Sequence, residues 1–178
     1  FLEKVYPTFI SWNRWFADHR MTKEGYLCWG SDPIEVRNGR WTELYSVDDW
    51  QGAAFESGLD NSPMFDGMGF DEETHLMKLA DVGLMGLYIM DCRCMIEISR
   101  ILGRDDMIPE LEARKRKVEQ ALMTLWDEEF GLFLNKNLSD GSLSRRISPT
   151  NFYALQADCV TREQKKRMMS EHFYNPEE

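Results

Sequence analysis

Apolar side chains recur at helical intervals from the first residues onward. Val5, Phe9, Trp12, Trp15 and Phe16 fall along one stripe, which predicts a helix from about Leu2 to Arg20. Pro7 lies in its first turns, where a missing N–H is tolerated. The pattern changes between Asp81 and Leu102. There Val82, Leu84, Met85, Leu87, Tyr88, Ile89, Met90, Met95, Ile96, Ile98, Ile101 and Leu102 go nearly all round, so this helix is expected to be buried on every side. Gly103 is placed to end it. From about Ile108 to Asp127, with Pro109 near the first turn, only Leu111, Val118, Leu122 and Leu125 form a stripe, and Arg, Lys and Glu fill the rest. This predicts an outer helix packed on one face. A helix buried all round followed by a one-faced helix is the unit of a double ring of helices, an α/α toroid, so the expected fold class is all-α.

The stretch from about Tyr26 to Leu79 has neither period. Gly30, Pro33, Gly39, Gly52, Gly58, Pro63, Gly67 and Gly69 punctuate it, and Trp29, Trp41, Trp50, Phe55, Phe65 and Phe70 are interspersed. A long loop this rich in aromatic residues reads as an ordered binding loop rather than a disordered one. Further on, Gly131–Leu134 and Ser142–Ser144 flank Asp140-Gly141 and predict a short β-hairpin. A short helix is expected near Pro149-Thr150-Asn151. A last one is expected from Thr161, with Glu163 and Gln164 as capping partners, to about Phe173.

The chain has 178 residues, enough for one domain with a core, and its formal net charge of −10 argues against a nucleic-acid partner. Its densest basic run, Arg114–Lys117, sits among Glu110, Glu112 and Glu119 and reads as a solvated helix face. No apolar run approaches the roughly 20 residues of a membrane span, and no leader pattern opens the chain. Both ends look cut from a longer chain. Cys28, Cys92, Cys94 and Cys159 lack metal-ligand spacing and read as buried free thiols. His19, His75 and His172 are scattered and expected at the surface or at helix ends. These readings assign no cofactor and no metal.

Chemistry concentrates in Phe55-Glu56-Ser57-Gly58-Leu59-Asp60-Asn61-Ser62-Pro63-Met64-Phe65-Asp66, which sets three carboxylates among turn formers and apolar residues. Such a segment can hold a carboxyl against apolar walls, and burial keeps a carboxyl protonated and able to donate. The same residues can equally form a plain turn braced by side-chain-to-backbone hydrogen bonds. Ser57 has no histidine nearby in sequence and Glu-Ser-Gly is not a nucleophile elbow. Asp66 and the Asp48-Asp49 pair read as structural.

The segment Glu56-Ser57-Gly58-Leu59-Asp60-Asn61-Ser62 resembles the catalytic-acid motif of glycoside hydrolase family 63 and its relatives, the trehalases being more distant cousins. Flanking landmarks resemble the same family in order. They are Tyr6-Pro7 with Trp12 and Trp15, then Arg20, Gly25 and Trp29-Gly30-Ser31. Asp81-Val82-Gly83-Leu84, Leu125–Glu128 before Gly131-Leu132-Phe133, Pro149–Leu155 and His172–Pro176 follow. The resemblance implies a partial (α/α)6 toroid with a long aromatic-rich active-site loop. It implies an inverting exo-acting α-glycosidase, most simply an α-glucosidase, in which Asp60 is the general acid. Trp12, Trp15, Trp29 and Glu56 are the expected substrate-binding residues, Glu56 with a bracing role as its competing reading. In this reaction type one carboxyl protonates the leaving oxygen while a second, roughly 6.5–9.5 Å away, activates water. The family's base lies downstream of the last landmark, and Glu177 and Glu178 match no base motif. The expected partner is an oligosaccharide or small glycoside, with self-association or pairing with the missing half of the ring. Two other readings stay open: a non-catalytic carbohydrate-binding or scaffold segment, and a trehalase-like hydrolase.

Overall fold

The computed structural model describes residues 1–31 and 49–176. The expectations for Pro33, Gly39, Trp41, Asp48, Glu177 and Glu178 fall outside the described residues. Among the described residues five α-helices dominate: α1 (Leu2–His19), α2 (Asp49–Glu56), α3 (Val82–Ile101), α4 (Ile108–Met123) and α5 (Arg162–Arg167). Six two-residue strands pair in three antiparallel ladders: β1 (Phe70–Asp71) with β2 (Leu76–Met77), β3 (Leu79–Ala80) with β6 (Lys136–Asn137), and β4 (Trp126–Asp127) with β5 (Leu132–Phe133).

The centre of the molecule is α3. Its N-cap is Asp81, whose carboxylate accepts from the Gly83 and Leu84 amides at 2.7 and 3.1 Å. Gly103, at φ +65°, follows the last turn, the stop expected from the sequence. The main neighbours of α3 are α4, α1 and a short 3₁₀ helix, Pro149–Gln156. The last approaches very closely. A Cβ at Gly86 would stand 2.4 Å from the Tyr153 carbonyl oxygen, so only glycine permits this contact. Burial of α3 is nevertheless not complete. Leu87, Cys94 and Ile101 open on one strip, because no described element covers that side. The outer helix α4 buries Leu111, Val118, Ala121 and Leu122, one face as expected. It stops before Trp126 and Asp127, which leave the helix to pair as β4.

In α1 the helix is where the sequence puts it, but its buried face is not. Tyr6, Ile10, Asn13 and Phe16 point inward, while Phe9 and Trp12 are exposed and Val5 and Trp15 only half-buried. The cause is polar. The Asn13 amide donates to Asp91 at 2.7 Å and to the Cys92 sulfur. Its carbonyl oxygen accepts from the Tyr88 hydroxyl and the Arg114 guanidinium. A fully bonded polar group is at home in a core, whereas an apolar-stripe reading turns it outward.

Residues 49–79 also differ from the expected unbroken loop. Ala53 and Ala54 pack with Met64, Phe65, Met77 and Leu79 in a small core of their own, and this anchors α2. The predicted hairpin is re-paired. Gly131, at φ +70°, closes a turn that sets Leu132–Phe133 against Trp126–Asp127. The Asp140-Gly141 turn joins residues 135–137 to 142–144 by only a few backbone bonds. At the C-terminal end Thr161 caps α5 reciprocally with Gln164, and α5 runs into a π-helical turn, Met168–Phe173. His172 lies in its last turn, a helix end as expected, but is buried there, its Nε2 2.7 Å from the Phe130 carbonyl. Cys28 and Cys92 are buried free thiols, pushed up by desolvation, Cys92 to about 11. Cys94 departs from expectation in being exposed.

Candidate active site

The turn that carries Asp60 begins where α2 ends. Ser57 donates its hydroxyl to the Ala54 carbonyl and accepts from the Leu59 amide at 3.0 Å, and Gly58 takes φ +71° in open space. The Ser62 amide closes back on the Leu59 carbonyl at 2.8 Å, with Asp60 and Asn61 at the apex. Asp60 sits at φ +29°, in the left-handed region that non-glycine residues avoid. Such strain persists only where the flanking structure dictates it. On the far side Ser62 caps a 3₁₀ turn, Pro63–Phe65, that drives Met64 and Phe65 into the core at 2 % and 1 % exposure. Asp66 pairs with Arg146, which also donates to the Pro63 carbonyl.

The Asp60 side chain is exposed, not enclosed by apolar walls as the sequence reading expected. The segments on either side of the turn are anchored inward, so a tight turn leaves the apex residue no direction but outward.

Glu56 is held by a polar hub. Both of its oxygens accept from Arg20, through Nε at 2.8 and 3.0 Å and Nη2 at 2.6 Å, and one also accepts from the Gly30 amide at 2.8 Å. Arg20 is 2 % exposed, and its guanidinium lies 4.4 Å over the Trp15 ring. Gly30 is hemmed in: a Cβ there would meet the His75 carbonyl at 2.6 Å and Arg20 at 3.0 Å. The ion pair therefore ties together the end of α1, the Leu27–Ser31 segment and α2, and backbone bonds from Ser31 to His75 and from Met77 to Trp29 add the β1–β2 hairpin.

Trp29, next to Gly30, spends its indole N–H on Asp81 at 2.6 Å. Desolvation pushes the buried Asp81 carboxyl upward against its three hydrogen bonds. The Trp29 ring joins Trp12, Phe16, Leu84, Leu87, Tyr88 and Asp91 around a mostly apolar cleft of about 240 Å³. Asp91 is the carboxylate of that cleft, raised by desolvation and opposed by the Asn13 hydrogen bond. Trp12 is 62 % exposed and stands 6.5 Å from Trp15, ring centre to ring centre.

The expected site residues thus fall into three places. Trp12 and Trp29 share the cleft, Trp15 and Glu56 meet through Arg20, and Asp60 stands at the apex of its turn. Sequence reasoning missed Asp91 and took Arg20 only as a landmark. The one signal for either is negative: each is a charged residue at a helical position where a charge is costly to bury. Among the described residues no group of three or more His, Cys, Asp or Glu could hold a metal ion, and no helix is long and apolar enough to cross a membrane.

The family model for the mannosylglycerate hydrolase MGH1-like glycoside hydrolase domain matches residues 1–178, and the chain belongs to this family. A mannosylglycerate hydrolase of Rubrobacter radiotolerans is 24 % identical over 221 residues, covering 96 % of this chain and 45 % of its own. Among solved structures, the glycoside hydrolase family 63 mannosylglycerate hydrolase of Thermus thermophilus in complex with glucose aligns with TM-score 0.69 at 17 % identity. That match covers 96 % of this chain and 44 % of the other. The neutral trehalase of Saccharomyces cerevisiae aligns with TM-score 0.70 at 16 % identity, over 94 % and 38 %. The fold is therefore that of part of an α/α toroid, and the chain spans less than half the length of these relatives.

Proposed function

We propose that this member of the MGH1-like glycoside hydrolase family carries the general-acid part of an inverting, exo-acting α-glycosidase, with Asp60 as the acid. The observation that supports it best is the turn itself. A carboxyl in the family-63-like motif is presented outward from a strained apex, fastened on one side by the Arg20–Glu56 pair and on the other by buried Met64 and Phe65. In this reading the Asp60 carboxyl gives its proton to the glycosidic oxygen as the C1–O bond breaks, and the bonding electrons leave with that oxygen. A second carboxylate takes a proton from water, whose oxygen joins C1 from the opposite face. In this reading the second carboxylate belongs to the part of the relatives' length that these 178 residues do not span. Trp12 and Trp29 line one side of the sugar cleft, and Glu56 braces.

The substrate we favour is a terminal α-linked glucoside. The names of the relatives make α-mannosylglycerate and trehalose the competitors to test beside it. Proton NMR of the sugar first released by the complete gene product distinguishes mechanisms: the β-anomer is expected, and first release of the α-anomer overturns inversion. Asp60→Asn is expected to remove about 10²–10⁴ of turnover. Near-normal turnover would exclude Asp60 as the acid.

A further inference from the structure

We infer that Arg20 is a positioning residue for the general acid, acting through Glu56, and this inference rests on the assignment of Asp60 proposed above. Nothing joins Arg20 to Asp60 directly. The link is mechanical. Asp60 is four residues after Glu56 and four before Met64, so the apex is suspended between two anchors. The Met64–Phe65 anchor is apolar and non-directional, since its burial fixes depth rather than angle. The Glu56 anchor is a fork. Two guanidinium nitrogens and one backbone amide engage a single carboxylate, and this fixes both its position and its plane.

The pair is poorly suited to a role in stability alone. A charge as buried as Arg20 is costly to take out of water, and an apolar pair of similar volume would hold the fold about as well. What an ion pair adds is direction. Three features of the fold use that direction. Trp15 lies under the guanidinium and limits its tilt. Gly30 lies where a Cβ would clash with Arg20 and the His75 carbonyl, so only glycine lets its amide reach Glu56 beside the fork. Beyond Glu56, the Ser57 and Leu59 hydrogen bonds leave little slack before the strained Asp60 backbone. A rotation of Glu56 would therefore swing the proton donor rather than be absorbed on the way. A misplacement of about 1 Å costs on the order of 10²-fold in rate.

The test separates positioning from mere folding by the leaving group. An alkyl glycoside needs the acid to protonate its departing oxygen, whereas a glycosyl fluoride releases fluoride without that proton. Glu56→Gln and Arg20→Lys are made in the complete gene product. Both are assayed on methyl α-D-glucoside and α-D-glucosyl fluoride, or on the corresponding mannosides where mannose is the sugar accepted, at a temperature where circular dichroism shows each variant folded. We expect kcat on the methyl glycoside to fall about 30- to 100-fold with KM little changed. On the fluoride it should fall by no more than about 3-fold. Equal losses on both substrates, or no loss on either, overturn the inference. Asp60→Asn serves as the reference. If it shows the same split while the other two variants do not, the acid assignment stands and the positioning role fails. If it shows no loss on the methyl glycoside, the acid assignment itself fails.

Discussion

Two aspartates, twenty-one residues apart, show how differently one side chain can be used in this chain. Asp81 is 1 % exposed, accepts from two helix amides and from the Trp29 indole, and starts the central helix. Asp60 is exposed at the apex of a strained turn, where the hydrogen bonds of its neighbours hold the backbone rather than its carboxyl. The first aspartate is saturated with partners and is structural. In the second the backbone is held while the carboxyl stands exposed, the arrangement on which the proposed acid role rests. Burial and saturation with hydrogen bonds, not the fixity of the backbone, separate the two.

The contrast is broken most severely by exchanging the expected outcomes. Asp60→Asn should cost turnover about 10²–10⁴-fold, or roughly 3–5 kcal/mol of transition-state stabilisation. Its melting temperature should stay close to that of the parent. Asp81→Ala should do the reverse. Losing the cap and leaving the Trp29 N–H unpaired should lower stability by about 3 kcal/mol, on the order of 10 °C in Tm by calorimetry. Any activity change should track the unfolded fraction. Glycines extend the comparison at smaller scale. Gly86→Ala in α3 must push back the Tyr153 backbone and should cost about 2 kcal/mol, read by urea unfolding. Gly58→Ala in the acid turn meets no atom within 4 Å. Only its φ of +71° is strained, and about 1 kcal/mol is expected.

The smallest effect belongs to Asp91, which lies between the two extremes. Desolvation raises its carboxyl above the ordinary range. Ionising it therefore favours the unfolded chain, and the protein loses stability as pH rises from about 4 through the folded-state value. Asp91→Asn removes that loss. The variant should melt above the parent at about pH 7, and the gap should close as pH falls below about 4. A gap that widens in acid would show the opposite sign.

What is legible in the sequence follows the same division. Period and punctuation are enough for α1, α3 and α4, for the Gly103 stop and for the Thr161 cap, because each depends on neighbours within a turn or two. The buried side of α1 is misread because Asn13 is satisfied by residues 75 to 101 positions away, a distance that periodicity cannot sense. Helix α2 escapes a periodic reading because it is eight residues long, contains Gly52 and owes its order to a distant cluster rather than to its own stripe. The acid motif is readable as a string of residues. The fork from Arg20 across 36 positions, which holds that motif, is not.

The three ladders are each only two residues long. None offers a run of unpaired amides and carbonyls on which a foreign strand could grow, so templated cross-β growth has little purchase on the described part of the chain. Stickiness in this protein belongs instead to exposed helix side chains such as Phe9, Trp12 and Ile101. Its clumping should answer to polar substitution there and hardly at all to changes at the ladder margins.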